Sequence, residues 1–162
     1  MQLSMKKWLF TIIVALMPFM AGTFTSCSSD NLPKVKISLD VAENTPTIDG
    51  VVYVVKGDSI HVNKLTVTNL DSSTPTILNR VMYRFDYSSF TETASPFAID
   101  FPTKDASVGN HEIYIECQVL ATGSPVCFAV CSFPVKVVAS KEDIPTGNST
   151  ATVEKVVEQT EK

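Results

Sequence analysis

The sequence predicts an all-β fold, an antiparallel β-sandwich of seven or eight short strands. Apolar and polar residues alternate with a period of two in most segments between residues 34 and 140, which is the pattern of half-buried strands. Turn signals rich in Gly, Pro, Asn and Asp separate these segments at short intervals. The same region has no convincing apolar repeat of helical period. We therefore expect two packed sheets.

The chain divides into four predicted parts. Residues 1–26 are expected to be a cleaved signal peptide, residues 27–33 a spacer, residues 34–140 the sandwich and residues 141–162 a flexible tail. Removing 26 residues from 162 leaves 136, which is enough for one domain with its own core. Polar residues, Pro and Gly dominate the tail, so we predict a mobile segment with at most a frayed helix over 152–160.

Three strands are predicted before residue 70. Residues 35–41 alternate cleanly, and a turn-rich segment then leads to the nearly all-apolar strand 51–55. A third strand begins at Ile60, where the apolar positions change from even to odd numbers. One extra residue near Asn63 and Lys64 would produce this change, so a β-bulge is predicted there.

The middle of the chain predicts a central strand over residues 81–87, after a polar loop at 69–76. Its odd-numbered face carries Val81, Tyr83, Phe85 and Tyr87, which we interpret as core rather than as an exposed platform for sugar rings. A polar loop at 88–96, with room for a short edge strand, precedes a strand at 97–101.

A long hairpin is predicted for the last part of the domain. Its strands are 113–121 and 126–138, joined by a turn of Gly, Ser and Pro. Pro134 has no N–H to donate to a neighbouring strand, so the second strand should bend, bulge or lie at an edge there.

Four short stretches between residues 50 and 140 resemble the bacterial immunoglobulin-like domains of exported proteins. They are Lys56-Gly57-Asp58-Ser59-Ile60, the strand 81–87, Ser95-Pro96-Phe97 and Gly109-Asn110-His111-Glu112-Ile113. The resemblance implies an immunoglobulin-like sandwich of the bacterial or fibronectin-like kind, because Trp8 lies outside the domain and the paired inter-sheet cysteines of antibody domains are absent. Such domains act as spacers, adhesion modules and accessory domains.

The amino-terminal residues have the organisation of an export signal. Lys6 and Lys7 precede an apolar run from Trp8 to Met20, and small residues lead to Cys27. The segment from Phe24 to Asp30 resembles the Bacteroidales-type lipobox of bacterial lipoproteins, which implies that Cys27 is acylated, for example with palmitate, and becomes the first mature residue. The alternatives are a plain secretory signal with an incidental Cys and an uncleaved anchor.

The predicted location and net charge of the mature chain limit the classes of partner that we expect. Ser28 follows the predicted lipidation site, and the resemblance to lipoproteins then implies an outer-membrane protein, on either the periplasmic or the surface side. Without Lys6 and Lys7 the chain has 11 basic and 17 acidic residues, a formal charge of −6. A protein of this negative charge is not expected to bind nucleic acid, because the phosphates would repel it. The expected partners are the membrane, through the lipid anchor, and an unknown protein or glycan.

The sequence has little that indicates catalysis. His111 enters a strand at a corner, where bonding a loop carbonyl is a better interpretation than catalysis, and His61 has no second ligand at metal spacing. The absence of nucleophile, nucleotide and metal motifs predicts no enzyme, cofactor or metal site. Tyr114, between Glu112 and Glu116 on the expected outer face, is the candidate surface contact.

Three cysteines remain in the predicted domain. Cys127 and Cys131 are four residues apart in one strand, about 13 Å, which is too far for a disulfide. The hairpin register expected from the inward faces pairs Cys117 with Cys131, and a bridge between them would be strained. Buried free thiols are therefore the favoured state, with the Cys117–Cys131 disulfide as the alternative.

The predicted function is that of a lipid-anchored cell-envelope module acting in binding, adhesion or assembly. The alternative is an accessory protein or small hydrolase acting on glycans or peptides in the envelope, which would need a cleft with paired carboxylates. Asp58-Ser59-Ile60 also resembles a short acceptor pattern for O-glycosylation, although a turn at Gly57-Asp58 explains most of it.

Overall fold

The computed structural model describes residues 34–70 and 74–161, and the predicted signal, spacer and Cys27 lie outside them. Eleven strands are present in this part of the chain, and a short 3-10 turn, Lys141–Asp143, follows the ninth. The strands are β1 (Val35–Val41), β2 (Thr47–Ile48), β3 (Val51–Val55), β4 (Ser59–Asn69), β5 (Thr76–Phe85), β6 (Ser88–Glu92), β7 (Ile99–Pro102), β8 (Gly109–Ala121), β9 (Cys127–Val138), β10 (Thr152–Val157) and β11 (Gln159–Glu161).

The strands form two sheets, which confirms the predicted all-β sandwich, and the described residues contain eleven strands where seven or eight were predicted. The smaller sheet has the order β10-β1-β4-β7, and the larger has the order β2-β3-β9-β8-β5-β6, with β11 also paired to β9. The start of the chain contributes to both, since β1 lies in the smaller sheet and β3 in the larger. The pairing of β3 with β9 is parallel, whereas the other ladders are antiparallel.

Two bulges set the register of the long strands. Asp40 pairs with Lys64 and Val41 with Val62, so Asn63 is the extra residue, as predicted from the change in apolar positions. A second irregularity, which the sequence did not indicate, skips Asn79 in β5. Each bulge returns the apolar side chains that follow it to the core face.

A two-residue turn ends β5 earlier than predicted. Phe85 pairs with Ser88, so Asp86 and Tyr87 form the turn and Asp86 adopts a positive φ of 49°. Tyr87 is therefore fully exposed instead of lying on the core face, while Tyr83 and Phe85 are buried as expected. The predicted short edge strand in 88–96 is present as β6.

Aromatic packing around Phe101 joins the two sheets. Phe101 of the smaller sheet lies 5.8 Å, centroid to centroid, from each of Tyr83, Phe85 and Phe90 of the larger sheet. The contacts with Tyr83 and Phe90 are edge-to-face, an arrangement that adds to the free energy gained from burying the rings. Aromatic side chains of β5, β6 and β7 therefore form one cluster in the core.

The prediction of a mobile carboxyl-terminal tail is wrong, and the sandwich extends to residue 161. β10 pairs with β1 along its whole length, and Val153 is buried in the core. Glu154 accepts a hydrogen bond from Ser38 at 3.1 Å and forms an ion pair with Lys36 at 2.9 Å. Strand formation here depends on the otherwise open edge of β1, which a local reading of polar residues does not reveal.

A gap between two neighbouring strands explains how Pro134 is accommodated in β9. β8 pairs with one side of β9, including Pro134 opposite Glu112. The other side is shared by β11 at residues 127–129 and by β3 at residues 135–138. Pro134 therefore lies in the gap between two short partner strands, where that side of β9 has no ladder partner among the described residues, although β9 itself is an interior strand and not the edge strand that was one of the predicted outcomes.

The register predicted for the β8–β9 hairpin is wrong by two residues. Cys117 lies opposite Ala129 and Cys131 opposite Ile115, and the last pair before the connection is Val119 with Cys127. Cys117, Cys127 and Cys131 are all free, buried thiols. Burial raises the pKa of Cys131 to about 12 and also raises the pKa of the other two, so the side chains pack as neutral groups.

Candidate functional site

The larger sheet presents one face to solvent, because every second side chain of β5, β8 and β9 points away from the smaller sheet. Cross-strand pairing arranges these side chains in three rows. We call the nine residues the outer face: Arg80, Gln118 and Phe128 in the first row, Met82, Glu116 and Val130 in the second, and Arg84, Tyr114 and Ser132 in the third.

A cation–π contact orders one end of the outer face. The guanidinium carbon of Arg84 lies 4.1 Å from the centre of the Tyr114 ring, and the two residues are direct cross-strand partners. Arg84 is exposed and Tyr114 is half-buried. The arginine thus holds the tyrosine ring in place while leaving part of both groups open to solvent.

A shallow depression of about 330 Å³ occupies the other end of the outer face. Arg80, Met82, Glu116, Gln118 and Phe128 line it. The bulge at Asn79 contributes to its shape, since the Asn79 side-chain amide donates a 2.7 Å hydrogen bond to Oε1 of Gln118. The depression therefore has an ordered polar rim beside a methionine and an aromatic ring.

Exposed apolar side chains extend this surface. Val130, in the middle row, is 41% exposed. Ile77, near the start of β5 and opposite Leu120, is 63% exposed. Tyr, Phe, Met and Arg are the residue types enriched in protein–protein interfaces, where Tyr and Arg carry much of the binding energy. The composition of the outer face is suited to contact with a macromolecule.

The structure brings together two of the three predicted contact residues. Tyr114 and Glu116 lie on the outer face, in adjacent rows. Glu112 is exposed on the same side of β8, but it lies opposite Pro134 and lines a separate depression of about 460 Å³ that includes His111. The predicted cluster is thus split between two surfaces.

Sequence reasoning missed the β5 and β9 contributions to this face. Met82, Arg84, Phe128 and Val130 occupy even-numbered positions of those strands, and none of them was predicted as a contact residue. The period of two identified which side they lie on. Their proximity to Tyr114 depends on the strand order β9-β8-β5, which the sequence pattern does not contain.

His111 bridges two loops at one end of the larger sheet. Its Nε2 donates to the carbonyl oxygen of Ser107 at 2.8 Å, the loop-carbonyl bond expected from the sequence. Its Nδ1 lies 2.7 Å from Oδ1 of Asp86 in the β5–β6 turn. Burial lowers the pKa of His111, but the bonds to Asp86 and Ser107 raise it by more, so its pKa lies above the ordinary value. The site is a structural clamp.

This clamp predicts pH-dependent stability. A histidine with a raised folded-state pKa stabilises the fold fully below its unfolded pKa of about 6.5, and this contribution is lost as the pH rises through the folded pKa. We expect the melting temperature to fall over that window. Asp86→Asn removes the charged acceptor, so the melting temperature should depend less on pH. The variant should still fold, because Asn tolerates the positive φ of this position. An unchanged pH profile in Asp86→Asn would contradict the clamp.

The remaining candidate groups show no assembled centre. His61 Nδ1 lies 2.7 Å from Oδ1 of Asp100, its cross-strand neighbour, and both are exposed. Within residues 34–70 and 74–161, no three His, Cys, Asp or Glu side chains are grouped for metal binding. In the same part of the chain, no helix is long and apolar enough to span a bilayer.

The Asp58-Ser59-Ile60 pattern spans the last residue of a turn and the first two residues of β4. Ser59 is half-buried and pairs with Pro102, and Ile60 is buried. The buried hydroxyl of Thr103 donates to the Asp58 carbonyl oxygen at 2.7 Å and accepts from the Gly57 N–H at 3.0 Å. These bonds fix the turn, which agrees with the turn interpretation of Gly57-Asp58.

The sequence matches no protein-family model and no curated protein at the level that would show a relationship. Among solved structures, the chain is similar to the fibronectin(III)-like modules of Clostridium thermocellum CbhA. The identity is 17%, the match covers 62% of this chain and 96% of that one, and the TM-score is 0.36.

Proposed function

We propose that this chain is a lipid-anchored module of the cell envelope that binds a protein partner through the outer face, in adhesion or assembly and without catalysis. The observation that carries the proposal is the group of Arg84, Tyr114, Met82, Phe128 and Val130 on the outer face of one sheet, where Arg84 and Val130 are exposed and the other three are half-buried. A protein partner is favoured over a glycan, because the face combines apolar side chains from three strands with mixed charges.

The geometry of the outer face favours binding over a purely structural role. Side chains that only solvate a sheet are usually polar, whereas Val130 and Ile77 expose much of their apolar surface. The Arg84–Tyr114 contact also restricts both side chains before any partner arrives. Such preorganisation reduces the entropy cost of association.

The anchor is a separate part of the proposal, and it rests on the lipobox resemblance around Cys27. A single acyl chain gives only marginal membrane binding, so a stably anchored lipoprotein carries more than one chain. Lys34, the first described residue, follows a Pro-terminated polar spacer, which would hold the sandwich a short distance from the bilayer.

We predict that Cys27→Ala abolishes fatty-acid labelling and moves the full-length chain from the membrane fraction to the soluble fraction. The physical reason is that the substitution removes the acylated sulfur on which the proposed attachment depends. Metabolic labelling with palmitate and membrane fractionation measure both effects. Cys127→Ala is the matched control, because Cys127 is buried in the sandwich and should leave labelling unchanged. Continued labelling of Cys27→Ala would contradict the lipid anchor.

A separate substitution tests the outer face. Tyr114→Ala should weaken binding of the envelope partner to the full-length chain by about tenfold or more, the effect typical of a central interface tyrosine. Cross-linking on intact cells, followed by quantitative capture of the tagged chain, measures the loss. Arg84→Ala should act in the same direction, because it releases the Tyr114 ring.

Tyr87→Ala is the control for this experiment. Tyr87 is a fully exposed tyrosine in the β5–β6 turn and lies outside the outer face. A partner lost equally from Tyr87→Ala and Tyr114→Ala would show that the outer face is not the binding surface. Circular dichroism of each variant separates lost binding from lost folding.

A further inference from the structure

A second concave surface lies away from the outer face, between β3 and the 3-10 turn that follows β9. We call it the β3 cleft, and its volume is about 370 Å³. Pro46, Tyr53 and Ile144 contribute an apolar wall, and Asn44, Asp58 and Lys141 contribute polar groups. It shares no residue with the outer face. Small-molecule sites commonly combine apolar walls with a few polar groups in this way.

The two sides of the β3 cleft are held by hydrogen bonds that do not use its polar side chains. The Tyr53 N–H donates to the Pro46 carbonyl oxygen at 2.8 Å, which ties β3 to the loop after β1. Asp58 is held through its backbone, since Thr103 donates to the Asp58 carbonyl oxygen from both its N–H, at 3.0 Å, and its hydroxyl, at 2.7 Å. The Asp58 carboxylate therefore remains available to a ligand.

The 3-10 turn holds Lys141 in a comparable way. Both the N–H and the hydroxyl of Ser140 donate to Oδ2 of Asp143, at 3.1 and 3.2 Å, and this bond pair closes the turn that carries Lys141. Lys141 also attracts its chain neighbour Glu142, which is exposed. The hydrogen bonds that close the turn therefore do not use the ammonium group of Lys141, which lines the cleft.

The charges of the β3 cleft are opposite but not joined. Among the described residues, neither Asp58 nor Lys141 forms an ion pair, although both line the same cleft. Their charged groups are therefore more than 4.0 Å apart. A ligand that bridges them must offer an ammonium group to Asp58 and a carboxylate to Lys141, with an apolar body against Tyr53, Pro46 and Ile144.

We propose that the β3 cleft binds a small zwitterion with apolar side chains, namely a short peptide that has free amino and carboxyl ends. The amino end donates to the Asp58 carboxylate, the carboxyl end accepts from Lys141, and one side chain packs on Tyr53. Because both charges are exposed to solvent, each ion pair contributes little. The expected dissociation constant for a dipeptide is about 1 mM, which is weak but measurable.

The test is a titration of the isotopically labelled full-length chain with leucyl-leucine, followed by amide chemical shifts. Shifts are expected for residues around Tyr53, Asp58 and Lys141, with saturation in the millimolar range. N-acetyl-leucyl-leucine amide has the same side chains without the two charges. It should bind at least about fourfold more weakly, since both ion pairs are lost.

Two substitutions and their controls complete the test. Asp58→Asn and Lys141→Gln should each weaken binding of the dipeptide about two- to fivefold, the effect of one exposed ion pair. Asp105→Asn and Lys104→Gln change equally exposed charges in the β7–β8 loop and should have no effect. Asp58→Asn should fold normally, because its structural bonds use the backbone.

Three results would overturn the proposal. The first is the absence of saturable shifts with leucyl-leucine up to about 20 mM, well above the expected constant. The second is equal binding of the blocked peptide, which would leave only a non-specific apolar contact. The third is unchanged binding by Asp58→Asn and Lys141→Gln, which would place the peptide elsewhere. Each outcome is independent of the partner proposed for the outer face.

Discussion

Replacing Tyr83 by alanine will lower the free energy of unfolding by about 4 kcal/mol, the largest effect that we expect from a single substitution. Tyr83 is fully buried, and its ring packs against Phe101 of the opposite sheet. Removing the ring loses its burial and leaves a cavity between the sheets that the surrounding strands cannot fill. Chemical denaturation of the full-length chain measures the change.

The hydroxyl of Tyr83 has a separate contribution. It donates to the carbonyl oxygen of Phe97 at 2.7 Å, and burial raises the pKa of Tyr83, so the donor stays protonated. Tyr83→Phe keeps the ring but leaves this buried carbonyl without its donor, at an expected cost of about 2 kcal/mol. Phe97 has a φ of 61°, so the bond also holds a strained residue in place.

Tyr87→Ala is the reference for both changes at Tyr83. Tyr87 is fully exposed, so its truncation should change stability by no more than about 0.5 kcal/mol. If Tyr83→Phe is as stable as the unmodified chain, the Phe97 carbonyl finds another donor. A comparably small loss in Tyr83→Ala would contradict the packing of Tyr83 against Phe101.

Deleting residues 152–162 will destabilise the sandwich by about 3 kcal/mol or more. The deletion removes β10 and β11, exposes one edge of β1 and takes the buried Val153 out of the core. Burial of one such side chain alone accounts for about 2 kcal/mol, and the hydrogen bonds between β1 and β10 add to it. Thermal and chemical unfolding of the deleted chain measure the loss.

Two valines of β10 provide a matched pair for the deletion. Val153 is 5% exposed and Val156 is 55% exposed in the same strand. Val153→Ala should cost about 2 kcal/mol, whereas Val156→Ala should change stability by no more than about 0.5 kcal/mol. A deletion that costs less than about 1 kcal/mol would instead support the mobile tail predicted from composition.

The candidate site was predictable in part. Alternation in β8 assigns Tyr114 and Glu116 to one side of a strand, because side chains in a strand alternate between faces. The same rule assigns Arg84 and Phe128 to a side of their own strands. It does not say that β5 and β9 flank β8, so the cation–π contact between Arg84 and Tyr114 and the depression beside Phe128 appear only in the folded sheet.

The cysteines show the same limit at the level of register. Their inward direction follows from alternation along β8 and β9. The residue that each one faces depends on the length of the connection between the strands, which places Cys117 opposite Ala129 rather than Cys131. A shift of two residues preserves the apolar face, so the hydrophobic pattern alone cannot detect it.

The sequence by itself determined the class of fold, most strands of the domain and the bulge at Asn63, because each depends on local alternation between apolar and polar residues. It also carried the lipobox resemblance at Cys27, which is a local motif. Only the tertiary structure decided the secondary structure of residues 152–161. Their composition is polar and their spacing of valines is compatible with a helix, yet they form strands because β1 and β9 offer unpaired backbone edges.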